Sequence, residues 1–227
     1  MAARRRQKAE TVDPEALVRA ALEIADSEGL GVLTIRRLAA RVDMAPMTLY
    51  GYFENKDALL DAMADHVLGG LDISAIPTED CSEATYQLGM AFFDTMHDHP
   101  SVAQLLATRS TTSDQAVAAA FEGPLNLLSR IGYDETEAVR IYGLLFTYAL
   151  GFSSYQLPRP WGGDDERRRQ RELLYRALPM DRFPAMVHLS ETLATLPSRE
   201  QFLWGLGILV SGLSHVPRRE QKPASAS

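Results

Sequence analysis

Between Leu33 and Leu60 the chain carries two short apolar-periodic segments separated by three residues, and that spacing leaves few ways to fold. Thr34 is a good helix N-cap, and Leu38, Ala39 and Val42 follow it on one face, so a short helix is predicted from Thr34 to about Val42. Asp43-Met44-Ala45 is too short for anything but a tight connection. Pro46 suits a first helical position and predicts a second short helix to about Tyr52 or Phe53. Asn55 then caps a further helix whose apolar face is Leu59, Leu60, Met63 and Val67. A short helix, a tight turn and a short helix make a helix-turn-helix. If the second helix is to enter a DNA groove, it needs an apolar inner side and small or hydrogen-bonding residues outside. Leu38, Ala39, Val42, Met44 and Leu49 can supply the inner set, and Pro46, Met47, Thr48, Gly51 and Tyr52 the outer one. Spacing by itself leaves a plain helical bundle open as well.

Helical periodicity continues along the chain, and no run alternates with period two, so the expected fold is all-α with nine or ten helices. Asp13-Pro14 opens the first helix, Leu17, Ala21, Ile24 and Ala25 form its inner face, and Gly29 ends it. Beyond Gly69-Gly70, further helices are expected at about Glu83–His97, Ser101–Thr108, Asp114–Ile131, Asp134–Gln156, Asp165–Ala177 and Ser198–His215. Pro158–Gly163 reads as a loop. The expected organisation is a basic arm over 1–12, a DNA-binding unit over 13–69, a larger helical unit over 70–216 and a tail over 217–227.

The formal net charge of −7 and pI of about 5.3 argue against indiscriminate binding to nucleic acid. Residues 1–70 hold nine Lys or Arg against eleven Asp or Glu, so any DNA contact must rest on placement rather than bulk charge. The single cysteine, Cys81, fits a reducing compartment. The basic start, Arg4 to Lys8, lacks a following apolar stretch, and the most apolar runs are about twelve residues. A cytoplasmic protein without a membrane partner is the expectation.

Leu33-Thr34-Ile35-Arg36-Arg37-Leu38-Ala39, Met44-Ala45, Thr48-Leu49-Tyr50-Gly51-Tyr52-Phe53, Asn55-Lys56 and Leu59-Leu60 together resemble the TetR family of bacterial regulators, over roughly residues 14–68. The resemblance implies a ligand-responsive, sequence-specific repressor, released from a palindromic operator when a small molecule binds its larger domain. It also implies DNA-contacting roles for Thr34, Arg36, Pro46, Met47, Thr48, Tyr50, Gly51, Tyr52 and Lys56, with Lys56 holding a phosphate at a helix start. Asp43 departs from the family's usual glycine, but Asp tolerates a left-handed backbone. The Arg4–Lys8 cluster could reach the minor groove or be a solvated end.

A single helix-turn-helix covers half a site, so the resemblance further implies a homodimer. Phe202, Leu206, Leu209, Val210 and Leu213 form a stripe on the last helix that suits such an interface, or plain internal core. The implied effector is unknown; Phe93, Met96, His97, Leu105, Phe121, Phe146, Phe152 and Tyr155 are candidate lining, each equally able to be ordinary core. No cofactor, metal site or enzymatic motif is expected. His97-Asp98-His99 lacks a matching ligand pair elsewhere, and Asp94 with His97 is the sort of pair that arises by chance. The alternative is a DNA-binding protein of the same fold without a small-molecule effector, controlled by a protein partner or organising the chromosome.

Overall fold

The computed structural model describes residues 13–107, 113–156 and 165–217. Every regular element among them is helical. The head is built from α1 (Pro14–Glu28), α2 (Ile35–Arg41), α3 (Pro46–Leu49) and α4 (Lys56–Gly69). Each of its longer helices starts where a polar side chain can take a free backbone N–H. Asp13 accepts from Glu15 N at 3.0 Å, Thr34 from Arg37 N at 3.1 Å and Asn55 from Ala58 N at 2.9 Å. Each such cap stabilises by about 1 kcal/mol. Gly29, at φ 93°, ends α1 in a conformation that a side chain would strain.

Leu17, Ala21, Leu38, Leu49, Leu59 and Met63 meet in the middle of the head, all essentially inaccessible to solvent. Burying each of the larger side chains stabilises by about 1.5–3 kcal/mol. Val102 and Leu105 join this core from α6 (Pro100–Leu106), although they lie beyond the end of α4. The head core therefore closes over a helix that begins at Pro100, well past the end of α4 at Gly69.

The body consists of α5 (Cys81–Asp98), α6, α7 (Asp114–Val117), a π-helical turn (Ala118–Glu122), α8 (Gly123–Arg130), α9 (Glu135–Gln156), and α10 to α13. The last four are α10 (Asp165–Arg176), α11 (Pro184–His188), α12 (Ser190–Ala194) and α13 (Arg199–Gly212). α5 packs along α9 and α13 around Leu88, Phe92, Phe93, Met96, Leu145 and Phe202. Gly89 sets how closely α5 and α13 approach, since a Cβ there would lie 2.6 Å from Leu206 Cδ1. α10, α11 and α12 pack mainly on one another.

Three features differ from the reading of the sequence. The single helix expected over Asp114–Ile131 contains the π turn, because Pro124 has no N–H to continue the α ladder; Gly123 N donates instead to Ala118 O, five residues back. α3 is shorter than expected. After Leu49 the chain tightens into turns in which Gly51 N bonds Thr48 O at 3.1 Å and Tyr52 N bonds Leu49 O at 3.0 Å. α11 and α12 are additional, in a stretch punctuated by Pro179, Pro184 and Pro197 that breaks any long periodicity. The arm over 1–12, the loop Pro158–Gly163 and the tail from 218 lie outside the described residues. No described helix is long and apolar enough to cross a membrane.

Candidate functional site

The turn between α2 and α3 positions the outward face of the head. Asp43 adopts φ 53°, the left-handed region its short polar side chain tolerates, and Met44 N closes the turn on Ala39 O at 2.9 Å. Leu38, Ala39 and Leu49 are buried beneath it, with Val42 and Met44 partly so. Pro46, Met47, Thr48, Tyr50 and Gly51 are left on the surface. Met47 is 78% exposed and Tyr50 48%. Thr34 and Arg36 are exposed on and beside the first turn of α2.

Tyr52 and Lys56 are less available than the sequence reading requires. Tyr52 is half-buried against the head core, and Lys56 Nζ donates to Leu30 O at 3.3 Å. An ammonium has three donors, so this bond leaves Lys56 able to meet a phosphate while fixing where it does so.

The charges on the head are mostly neutralised within it. Arg37 pairs with Glu28, Arg41 with Glu23 at 2.8 Å, and Arg19 with Asp13 and Glu15 at 3.6 and 3.5 Å. The hydrogen bond from Arg37 holds the Glu28 carboxyl below its ordinary range. The Arg37 and Arg41 pairs tie α2 to α1. Among the described arginines and lysines of the head, Arg36 alone makes neither an ion pair nor a hydrogen bond.

A second cluster lies in the body between α5, α9 and α13. Phe92 meets Tyr142 and Phe146 edge-on, with centroids 5.6 and 5.5 Å apart, and Tyr142 and Phe146 stack at 5.7 Å. Phe93 stacks between His97 and Phe202, and Phe152 meets both Phe93 and Phe202. Phe121, 37% exposed on the π turn, leans on Tyr142 at 5.5 Å. Phe93, Met96, His97, Phe121, Phe146 and Phe152 are thus brought together or adjoin one another, with Met96 buried in the same core. Leu105 is not among them: its side chain belongs to the head core, because α6 turns that face towards α1 and α4. The Tyr155 side chain lies outside the described residues.

The sequence offers Tyr142 as a polar tip among these apolar residues and does not single out Ser153. The hydroxyls of Tyr142, Ser153 and Ser154 on α9 are shielded from solvent without a hydrogen-bond partner, and burial pushes the Tyr142 phenol above its ordinary pKa. Tyr142 and Ser153 lie on one face of α9, eleven positions apart, and Ser154 is turned away from them. An unsatisfied buried hydroxyl costs about 1–3 kcal/mol, so such positions in a native core call for an explanation.

Phe202, Leu206, Val210 and Leu213, the stripe considered for contact between copies, are packed inside their own chain, and Leu209 is half-buried. The opposite face of α13 carries Trp204, 70% exposed, and Ile208, 53% exposed. Val139 and Leu144 are exposed on α9. His97 and His99 turn apart: His97 lies on Phe93, and His99 Nδ1 meets Asp26 Oδ2 at 3.0 Å. No group of three potential metal ligands occurs among the described residues. Asp94, the possible partner of His97, is instead paired with Arg199 at 2.7 Å.

Comparison with known proteins agrees with this arrangement in both parts. Residues 17–63 match the family described as bacterial regulatory proteins, tetR family, and residues 75–216 match the tetracyclin repressor-like C-terminal domain. The HTH-type transcriptional repressor DrrR1 of Streptomyces coeruleorubidus is 30% identical over 214 residues, covering 89% of this chain and 77% of that one. ActR of Streptomyces coelicolor, in complex with actinorhodin, is 27% identical with a TM-score of 0.71, over 89% of this chain and 97% of that one. A possible TetR family transcriptional regulator of Streptomyces coelicolor A3(2) is also 27% identical, with a TM-score of 0.74 over 90% and 100% of the two chains. With both halves matched in order, and a helix-turn-helix in the first, this chain belongs to the TetR family of bacterial transcriptional regulators.

Proposed function

We propose that the protein is a homodimeric repressor that holds a palindromic operator through α2 and α3 and releases it when a small molecule binds between α5 and α9. The observation that carries the ligand half of this reading is the pair of unpartnered hydroxyls, Tyr142 and Ser153, inside an otherwise aromatic interior. Both regain a hydrogen bond if a ligand with polar substituents lies along that face of α9. The relative that holds actinorhodin lends support to a small-molecule effector for this chain.

Thr34, Arg36, Pro46, Met47, Thr48, Tyr50 and Gly51 form the DNA face, with Tyr52 and Lys56 at its edge. Trp204 and Ile208 of α13, with Val139 and Leu144 of α9, form the face between two copies. Positions 207 and 212 on α13 and 143 and 151 on α9 are glycines with open space beside them, which permits close approach. α6 packs against α5 and α9 on one side and the head core on the other, and α4 packs against α1, α6 and α7. A ligand that displaces α6 or α4 changes the separation of the two heads. The change cannot exceed the ligand's differential affinity for the two states.

The test is selection of bound DNA from a random pool by the full-length protein at moderate salt, followed by release with actinorhodin and with a panel of hydroxylated aromatic compounds. A palindromic consensus, released by such a compound from the wild type and less readily from Tyr142→Phe, supports the reading. Failure to enrich any DNA, before and after refolding to strip bound ligand, overturns it. Specific binding that no such compound releases favours an effector-free regulator.

A further inference from the structure

The exposed surface of the recognition turn has an unusual chemistry for reading bases. From Ala45 to Tyr52 the sequence is Ala, Pro, Met, Thr, Leu, Tyr, Gly, Tyr. It holds no Arg, Lys, Asn or Gln, the side chains that make two-point hydrogen bonds to base edges, and no Asp or Glu to accept from cytosine. Thr48 offers one rotatable hydroxyl, which accepts either kind of partner and discriminates weakly. The prominent groups are instead apolar: Met47 is 78% exposed, and Pro46 beside it is exposed as well. Leu49 beneath them is wholly buried, so the turn cannot roll to hide Met47 without exposing its own anchor.

One feature of the major groove matches such a surface, the 5-methyl group of thymine. We infer that this repressor reads thymine methyls through Met47 and Pro46, and that its operator half-sites carry thymine where α3 enters the groove. The inference rests on the DNA-binding reading above and adds the chemistry that selects the sequence. Methionine suits the task because its unbranched thioether can follow a methyl group whose position varies slightly between bound complexes.

The test begins with the operator selected from the random pool by the full-length protein. Each thymine of a half-site is then replaced, one at a time, by deoxyuridine, which keeps the pairing and hydrogen-bonding edge but lacks the methyl. At one or two positions per half-site the replacement weakens binding about fourfold, the equivalent of one buried methyl-sized group. In Met47→Ala, expected to fold normally because the side chain is so exposed, the same replacements have little further effect; Met47→Leu retains them. Uniform tolerance of deoxyuridine by the wild type, with a clear operator in hand, overturns this inference and leaves the DNA-binding reading standing. Undiminished deoxyuridine sensitivity in Met47→Ala overturns the assignment to Met47. No enriched operator at all overturns the DNA-binding reading, and this inference with it.

Discussion

Asp26 of α1 caps α6 from across the chain: its Oδ1 accepts from Ser101 N at 3.0 Å and from Ser101 Oγ at 2.6 Å. The side chain of His99, the residue in the N-cap position, makes no capping hydrogen bond to α6. The carboxylate therefore satisfies the start of α6 and fastens it to the head. Ser101 is 3% exposed, so losing the acceptor leaves a buried N–H and hydroxyl unpaired. Asp26→Ala should destabilise the protein by about 1–3 kcal/mol, read as a lowered thermal midpoint. An unchanged midpoint would show that water or a neighbour replaces the carboxylate at no cost.

The second contact of Asp26, to His99, makes the same junction sensitive to pH. The hydrogen bond that the His99 ring donates to the Asp26 carboxylate raises the His99 pKa above its ordinary value, and Asp98 adds to the shift. A group with a raised folded pKa contributes stability that is fully present below the unfolded value and is lost as pH rises through the folded one. His66 lines the same surface cleft from α4. The difference in thermal midpoint between wild type and His99→Gln should be greatest at pH 6 and below and shrink as pH rises. Because the ring is partly exposed, the effect stays under about 1 kcal/mol. A difference independent of pH would place the role of His99 in packing.

Asp43 holds a positive φ in the turn ahead of α3, with its carboxylate exposed. Glycine meets that backbone without a Cβ penalty and removes a negative charge next to the proposed DNA face. Asp43→Gly should gain up to about 1 kcal/mol of stability. It should also bind the operator more tightly, most visibly at low salt, where repulsion is least screened. Lower stability would mean that the Asp side chain contributes to the turn.

Arg36 is the unpaired arginine of the described head. If it neutralises one phosphate, Arg36→Ala should weaken binding to all sequences alike and reduce the salt slope of log K by about one. Arg37→Ala should move the slope less, because Arg37 is already paired with Glu28. Equal slopes for both variants would exclude a special role for Arg36.

Trp204 stands out from α13 with nothing of its own chain covering most of it. Trp204→Glu should convert a dimer to a monomer in light scattering, and half-site binding should then replace cooperative binding to the palindrome. Phe202→Glu, by contrast, should unfold the body, since Phe202 is stacked on Phe93 at 3.9 Å in the core. A Trp204→Glu variant that stays dimeric would move the interface elsewhere.

What could be read from the chain follows the range of the forces involved. Asp13, Thr34, Asn55 and Gly29 act on residues next to them, and their roles are visible in sequence order. The inner face of α1 is legible because its outer face is polar. α13 is apolar on nearly every side, so periodicity could not tell Phe202, Leu206 and Val210, which point inward, from Trp204 and Ile208, which do not. Asp26 and Ser101 meet across 75 positions, and nothing local announces the pairing. Leu105 was assigned to the body for the same reason, since its place in the chain follows α5 while its contacts lie with the head.

Val102 and Leu105 complete the head core from beyond residue 70, so the unit that folds is not the unit that is contiguous in the gene. A chimaera joining this head to another relative's body at that point would inherit a foreign α6 under its own α1. The graft would have to carry positions 99, 101, 102 and 105 along with it. An exchange that keeps α6 matched to the head leaves this core intact, and the surface that α6 never touches is free of that constraint.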